Sequence, residues 1–308
     1  MILFIGSSAD KVSPRLLKTL QESSQFFAFV DEDHPFEWDV QCEQLNGSRL
    51  FRIRGGDCTG TRPVGSIFVR HAVARSLDTT HLSKLGELQS NLNRMLVFSS
   101  CPTINSPANA YSNYSKPYQL GLMAKAGFDI PKTLVTNQAA EARRFYRLCD
   151  KQVIFKGVSN VMTFAQLLKP EHFARLELLP NSPTVFQEYV SGTDYRVHVV
   201  GDRTFCTRLQ AANEDYRRSA LIENEEISAE PAQLSESVLR RCIAFTRQLG
   251  LLVSGIDFKE SRNGRLAALE LNPYPQFTFY EGRSGQPITK SVVDYLIQNH
   301  VADTNVFV

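Results

Sequence analysis

Two carboxylates and an amide toward the C-terminal end carry the densest chemistry in the chain: Asp257, Glu270 and Asn272. They flank Asn263-Gly264, which lies between two apolar-rich runs and signals a two-residue hairpin turn, because both turn positions need positive φ. With that turn Arg262 pairs with Arg265, and counting outward sets Asp257 directly opposite Glu270. Asn272 shares their face, since side chains alternate along a strand, and Ile256, Phe258, Leu269 and Leu271 form an apolar opposite face. Directly opposed residues bring their Cβ atoms to roughly 5 Å, where like charges repel. A cation answers that repulsion, and an oxygen-only set with two carboxylates suits magnesium, which also bridges nucleotide phosphates. The hairpin alone fits equally well a solvated charged face on which Lys259 neutralises the pair.

Upstream residues add to the metal reading. Lys156 ends the apolar run Val-Ile-Phe and precedes Gly157-Val-Ser-Asn-Val. A lysine at a strand end beside a small-residue loop can reach phosphates while the loop amides cap them; it is also an ordinary strand-end lysine. Lys116 opens a helical stretch. Phe186-Gln-Glu-Tyr-Val190 ends in Ser191-Gly-Thr-Asp194. An extended hinge of this kind exposes backbone groups that read an adenine edge, with Asp194 set for ribose hydroxyls, unless it is simply a core strand capped by a turn.

These residues need a scaffold of more than one unit. At 308 residues the chain suits two or three subdomains. Hydrophobic residues make up 43% and charged residues 21%, which is ordinary for a globular protein. The net charge of +2 gives no electrostatic case for nucleic acid or a membrane surface. Met1-Ile-Leu-Phe-Ile is too short for a signal sequence and no run approaches a membrane span, so a cytoplasmic location is expected. The six cysteines form no C-x-x-C pair and the six histidines no H-E-x-x-H, which argues against a zinc site or disulfide framework and selects no thiol nucleophile.

Residues 1–110 read as an α/β unit with a parallel sheet: strands at Met1–Ile5, Phe26–Val30 and Ser66–Arg70, with a helix at Arg15–Ser23. The loop after the first strand has one glycine and is no dinucleotide fingerprint. Turn chemistry at Asn105-Ser-Pro-Ala-Asn marks the change of unit. Then come a helix Lys116–Ala126 closed by Gly127, a strand Thr133–Thr136, a helix Ala139–Leu148 capped by Asn137, and strands Val153–Lys156 and Thr184–Val190. A hairpin of Tyr195–Val200 and Thr204–Leu209, a long helix over 232–249, the carboxylate hairpin and a helix Gln286–Gln298 complete an antiparallel α+β part.

The order of these parts is similar to that of the ATP-grasp superfamily. Carrying it are a lysine, Phe-Lys-Gly-Val-Ser, Gln-Glu-Tyr-Val-Ser-Gly-Thr-Asp-Tyr-Arg-Val, Gly-Ile-Asp-Phe-Lys and Leu-Glu-Leu-Asn-Pro. Within the superfamily the chain resembles the RimK-like branch, which includes ribosomal-protein glutamate ligases and the peptide maturases of the microviridin (graspetide) type. Asn105-Ser-Pro-Ala, Lys116-Pro-Tyr-Gln-Leu, Gly127-Phe-Asp-Ile-Pro-Lys-Thr-Leu-Val-Thr-Asn and Asn272-Pro-Tyr-Pro-Gln-Phe-Thr-Phe-Tyr-Glu-Gly-Arg-Ser-Gly resemble the maturases. The resemblance covers about residues 100–298.

It implies an ATP-grasp fold: a Rossmann-like pre-ATP-grasp domain over 1–110, then two α+β subdomains over 111–190 and 191–308 enclosing ATP. It implies that Lys116 and Lys156 contact ATP phosphates, that Glu188, Tyr189 and Val190 form the adenine hinge, and that Asp194 lies near the ribose. Asp257, Glu270 and Asn272 would hold Mg2+, and Arg196 with Arg217 or Arg218 would steady the transferred phosphoryl group and the acyl phosphate. The expected activity is an ATP-dependent ligase joining a carboxylate to an amine or hydroxyl on a peptide or small molecule; a homodimer is compatible with it. An ATP-grasp kinase and a non-catalytic ATP-binding protein share the same nucleotide site. The glycine-poor loop after Lys156 departs from many relatives and favours the latter. Arg70, at a strand end, is a candidate contact for a substrate carboxylate, and His71 beside it is expected to be structural.

Overall fold

The computed structural model describes residues 1–45, 48–71, 78–158, 165–210, 227–301 and 305–308. The N-terminal unit runs β1 (Ile2–Gly6), α1 (Ser13–Glu22), β2 (Phe27–Asp31), β3 (Asp39–Leu45), β4 (Ser48–Arg54), β5 (Ser66–Val69), α2 (Thr79–Phe98) and β6 (Thr103–Ile104). Its sheet has the order β2-β1-β5-β6, all parallel, as the alternation of strands and helices predicts. Every residue of β1 is buried, the continuous apolar run of a strand covered on both faces.

The middle unit contains α3 (Lys116–Lys125), β7 (Thr133–Thr136), α4 (Ala139–Leu148), β8 (Val153–Gly157), β9 (Gln166–Leu167) and β10 (Thr184–Glu188). Its antiparallel sheet has the order β7-β10-β8-β9. Gly127 follows α3 at φ +84°, as a helix-ending glycine should. The cap of α4 differs from expectation: Gln138 holds the cap position without a side-chain bond, and its amide donates to Thr136 Oγ1 at 3.0 Å.

The third unit is a five-stranded antiparallel sheet, β13-β12-β11-β14-β15. It is formed by β11 (Gly192–Val200), β12 (Arg203–Gln210), β13 (Ser228–Pro231), β14 (Val253–Ser261) and β15 (Leu266–Asn272). The helices α5 (Glu236–Gln248), α6 (Phe277–Ser284) and α7 (Ile288–Gln298) accompany it. One face packs Val197, Ile256, Phe258, Ala268 and Leu271 with Phe245 and Cys242 of α5. Another core joins Leu16 and Leu20 of α1 to Tyr280, Ile288 and Val292, so the first and last units share apolar contacts. The chain ends by returning to the N-terminal unit, where β16 (Val306–Phe307) pairs parallel with β4.

The β14–β15 turn departs from the predicted one in a way that leaves the site intact. The Ser261 amide donates to the Arg265 carbonyl and the Gly264 amide to the Ser261 carbonyl, so three residues form the loop, with Gly264 at φ +81°. Arg262 therefore does not pair with Arg265. A bulge between Asp257 and Phe258 shifts the register back by one, and Asp257 pairs with Glu270 after all. Leu269 is the extra residue, and it leaves the expected apolar face to line the cleft with the carboxylates.

Candidate active site

A cleft lies between the middle sheet and the third. Its lining includes Lys156, Glu188, Tyr189, Val190, Asp194, Asp257 and Glu270, so seven residues singled out from sequence meet in one place. Lys156 comes from β8, the hinge from the end of β10, Asp194 from β11, and the carboxylates from β14 and β15.

Asp257 and Glu270 are 5% and 9% exposed, which removes the solvated-face reading. Both meet a cation. Arg196 is Asp257's cross-strand neighbour, and its Nε lies 2.7 Å from Asp257 Oδ1. Lys116 Nζ lies 4.0 Å from Glu270 Oε2. Asn272 Nδ2 donates to Glu270 Oε1 at 3.2 Å, which ties the amide to the pair. Lys259 Nζ donates to Asp194 Oδ2 at 3.0 Å. Opposite charges thus face each other directly across β11 and β14 at two successive positions of one face.

Polar staples missed in the sequence fix these positions. Gln119 of α3 donates to the Leu271 carbonyl at 2.8 Å and accepts from the Leu271 amide at 2.9 Å. It thereby occupies the open edge of β15 and holds the helix that begins with Lys116. Asn105, which reads in sequence as turn chemistry, is buried. Its side chain donates to the Val253 and Pro273 carbonyls at 2.5 Å each and accepts from the Leu252 amide at 2.9 Å. Gly255 leaves room for Arg196, since a Cβ there would stand 2.4 Å from its Nη1.

The hinge is held from outside. Arg265 forks onto Asp129 at 2.8 and 3.0 Å and reaches Glu188 Oε1 at 2.7 Å, while the Lys132 amide donates to Glu188 Oε2 at 3.0 Å. The amides of Glu188 and Tyr189 donate to the Lys132 and Gln152 carbonyls. Among the described residues the Val190 amide meets no acceptor.

Arg70 is not presented to a substrate carboxylate. Its guanidinium bonds Asp10 at 2.5 Å and the Tyr274 carbonyl at 2.8 Å, which pins the segment after Asn272 to the N-terminal unit. His71 bonds buried Glu32 at 2.6 Å and Asn93 at 2.9 Å, a structural role as expected. Burial alone would lower its pKa, but the bonds to Glu32 and Asn93 with the Glu32 charge raise it. Burial raises the Cys206 and Cys242 thiols to about 12, which suits packing rather than nucleophilic chemistry. Arg217, Arg218 and the segment after Val158 lie outside the described residues.

Among the described residues no cluster of three or more His, Cys, Asp or Glu side chains is arranged for a metal. Two buried carboxylates with the Asn272 amide still form an oxygen set of the kind hard cations take. No helix of the described residues is long and apolar enough to cross a membrane.

Similarities to known proteins agree with this geometry. A probable alpha-L-glutamate ligase of Xanthomonas oryzae pv. oryzae is 34% identical over 119 residues, 37% of this chain and 39% of that protein. The chain thus matches only about two-fifths of that relative's length. The ATP-grasp ligase PsnB, solved with a minimal precursor, superposes with a TM-score of 0.80 at 26% identity, covering 97% of this chain and 98% of that one. PsnB has also been solved with minimal precursor, Mg and ADP, where the TM-score is 0.80 at 25% identity over 97% and 96% of the two chains. The macrocyclase MdnC of Microcystis aeruginosa MRC, bound with precursor peptide MdnA, shares the fold with a TM-score of 0.80 at 20% identity over 97% and 99%. The RimK-like ATP-grasp domain matches residues 114–296, more than half of the chain, which shows that the chain belongs to the RimK-like ATP-grasp family.

Proposed function

We propose that this protein activates a side-chain carboxylate of a peptide with ATP and joins it to an amine or hydroxyl. The observation that carries this is the single cleft in which a strand-end lysine, a backbone hinge and a buried carboxylate pair converge. The Val190 amide is available to an adenine edge. Asp194, braced by Lys259, is set for the ribose hydroxyls. Lys156 and Lys116 provide positive charge for the phosphates, Lys116 from a helix start fixed by Gln119.

Magnesium, when bound, would be held by Asp257, Glu270 and Asn272 and would neutralise charge on the phosphate oxygens. The substrate carboxylate attacks the γ-phosphorus of ATP. The bond from that phosphorus to the bridging oxygen breaks, and ADP leaves with its electron pair. The acyl phosphate is then attacked at carbon by an amine or hydroxyl, phosphate departs, and the nucleophile loses a proton. Arg196 contributes fixed positive charge where the transferred group gains negative charge, and Arg217 or Arg218 is assigned the same duty. No side-chain nucleophile is needed. The work is positioning and electrostatics.

A peptide is favoured as substrate because PsnB, similar over nearly the whole chain, is solved with a precursor. The test is trapping. A synthetic peptide carrying Asp, Glu, Lys, Ser and Thr is incubated with enzyme, ATP, Mg2+ and hydroxylamine. Peptide hydroxamate and ADP are expected. Formation of AMP and pyrophosphate would overturn the proposal.

A further inference from the structure

We propose that Tyr280, backed by His198, is a positioning residue that holds the Arg196 guanidinium in its working orientation. This rests on the role given above to Arg196. Arg196 Cζ lies 5.3 Å from the centroid of the Tyr280 ring, and each side chain belongs to a residue only 5% exposed. A cation over a ring face in so dry a place is well held. The ring is itself fixed. The His198 imidazole meets it edge-on at 4.8 Å and 67°, and Phe279 at 5.1 Å and 80°. Gly255 and Pro275 line the same slot, because a Cβ on Gly255 would stand 2.4 Å from Arg196 Nη1 and 2.9 Å from Pro275 Cβ.

The place of His198 fits this arrangement. It follows Arg196 by two residues on β11, is fully buried, and among the described residues neither ring nitrogen has a hydrogen-bond partner. An unpartnered buried polar ring costs free energy and calls for a reason. Burial, and secondly the Arg196 charge, push its pKa well below 6.5. It therefore stays neutral and packs as a flat edge beside a cation.

An aromatic seat also meets a requirement that Asp257 cannot. Asp257 is both the ion-pair partner of Arg196 and a candidate metal ligand, so a metal would compete for its oxygens. A second carboxylate would cancel the charge Arg196 must lend to a phosphoryl group. A ring face holds the guanidinium and leaves its charge whole.

The test compares calorimetric affinities for Mg·AMPPNP and Mg·ADP, since Arg196 is assigned to the γ-phosphoryl group. Tyr280→Met should weaken AMPPNP about tenfold while ADP changes less than about twofold, and Tyr280→Phe should restore AMPPNP binding. In an Arg196→Lys background Tyr280→Met should cost nothing more. If Tyr280→Met does not fold, pentafluorophenylalanine at position 280 keeps the ring's shape and reverses its quadrupole, and it should weaken AMPPNP alone. Equal loss of both nucleotides, or additive losses in the double variant, would overturn the inference and leave the proposed function standing. An Arg196→Lys variant with unchanged AMPPNP affinity would sink the role of Arg196, and this inference with it.

Discussion

Arg196 on β11 and Asp257 on β14 stand directly opposite each other and join across 2.7 Å, almost wholly out of solvent. A buried pair of this kind adds little net stability, yet removing one member is costly because the other charge is left uncompensated. Asp257→Asn should therefore lower unfolding free energy by about 3–5 kcal/mol, read from urea titrations, and abolish the magnesium-dependent part of nucleotide binding. Asp257→Asn with Arg196→Met should recover much of the stability and none of the binding.

Gly255→Ala tests the slot beside that pair. The added methyl would meet Arg196 Nη1 at 2.4 Å, so the guanidinium must leave its place. Turnover of ATP to ADP should fall by at least about tenfold, the scale of a displaced charge-stabilising group, with Mg·ADP affinity nearly unchanged.

The carboxylate pair was legible in the sequence for a reason that was only half right. Asn263-Gly264 does mark the turn, but the loop has three residues, and the bulge that returns Asp257 to Glu270 leaves no mark in the alternation of types. Leu269 fits a regular strand until the bulge turns it into the cleft. Lys156, the hinge and Asp194 were legible because an ordered set of motifs carries them. Gln119, Asn105 and Arg70 were not, since a polar side chain that satisfies a distant backbone looks in sequence like any surface residue. Tyr280 reads as one aromatic among several in Phe277-Thr-Phe-Tyr, and only packing distinguishes it.

Gln119 fixes α3, and with it Lys116, to the edge of β15. Gln119→Leu leaves the Leu271 amide and carbonyl without their partners, so stability should drop by about 2–6 kcal/mol, from roughly 1–3 per orphaned group. Affinity for AMPPNP should fall with it as Lys116 loses its anchorage. Calorimetric unfolding and nucleotide titration check both.

The pH response of the N-terminal unit follows from His71. Its folded pKa is raised above 6.5, so the stability it contributes is fully present below pH 6.5 and is lost as pH rises through the folded value. His198 has the opposite sign. Its folded pKa is lowered, and its contribution is lost as pH falls below 6.5. The difference in unfolding free energy between wild type and His71→Asn should accordingly be larger at acidic pH than at alkaline pH. A difference that is flat with pH would remove the charged His71–Glu32 pair.

If a carboxylate is activated by ATP, one of its oxygens ends on the phosphate released. A synthetic Asp- and Glu-containing peptide labelled with 18O in its side-chain carboxylates, incubated with enzyme, ATP and Mg2+, tests it by mass spectrometry of the phosphate. One labelled oxygen in each phosphate formed with ADP is predicted. ADP accompanied by unlabelled phosphate, or label appearing in AMP, would contradict it.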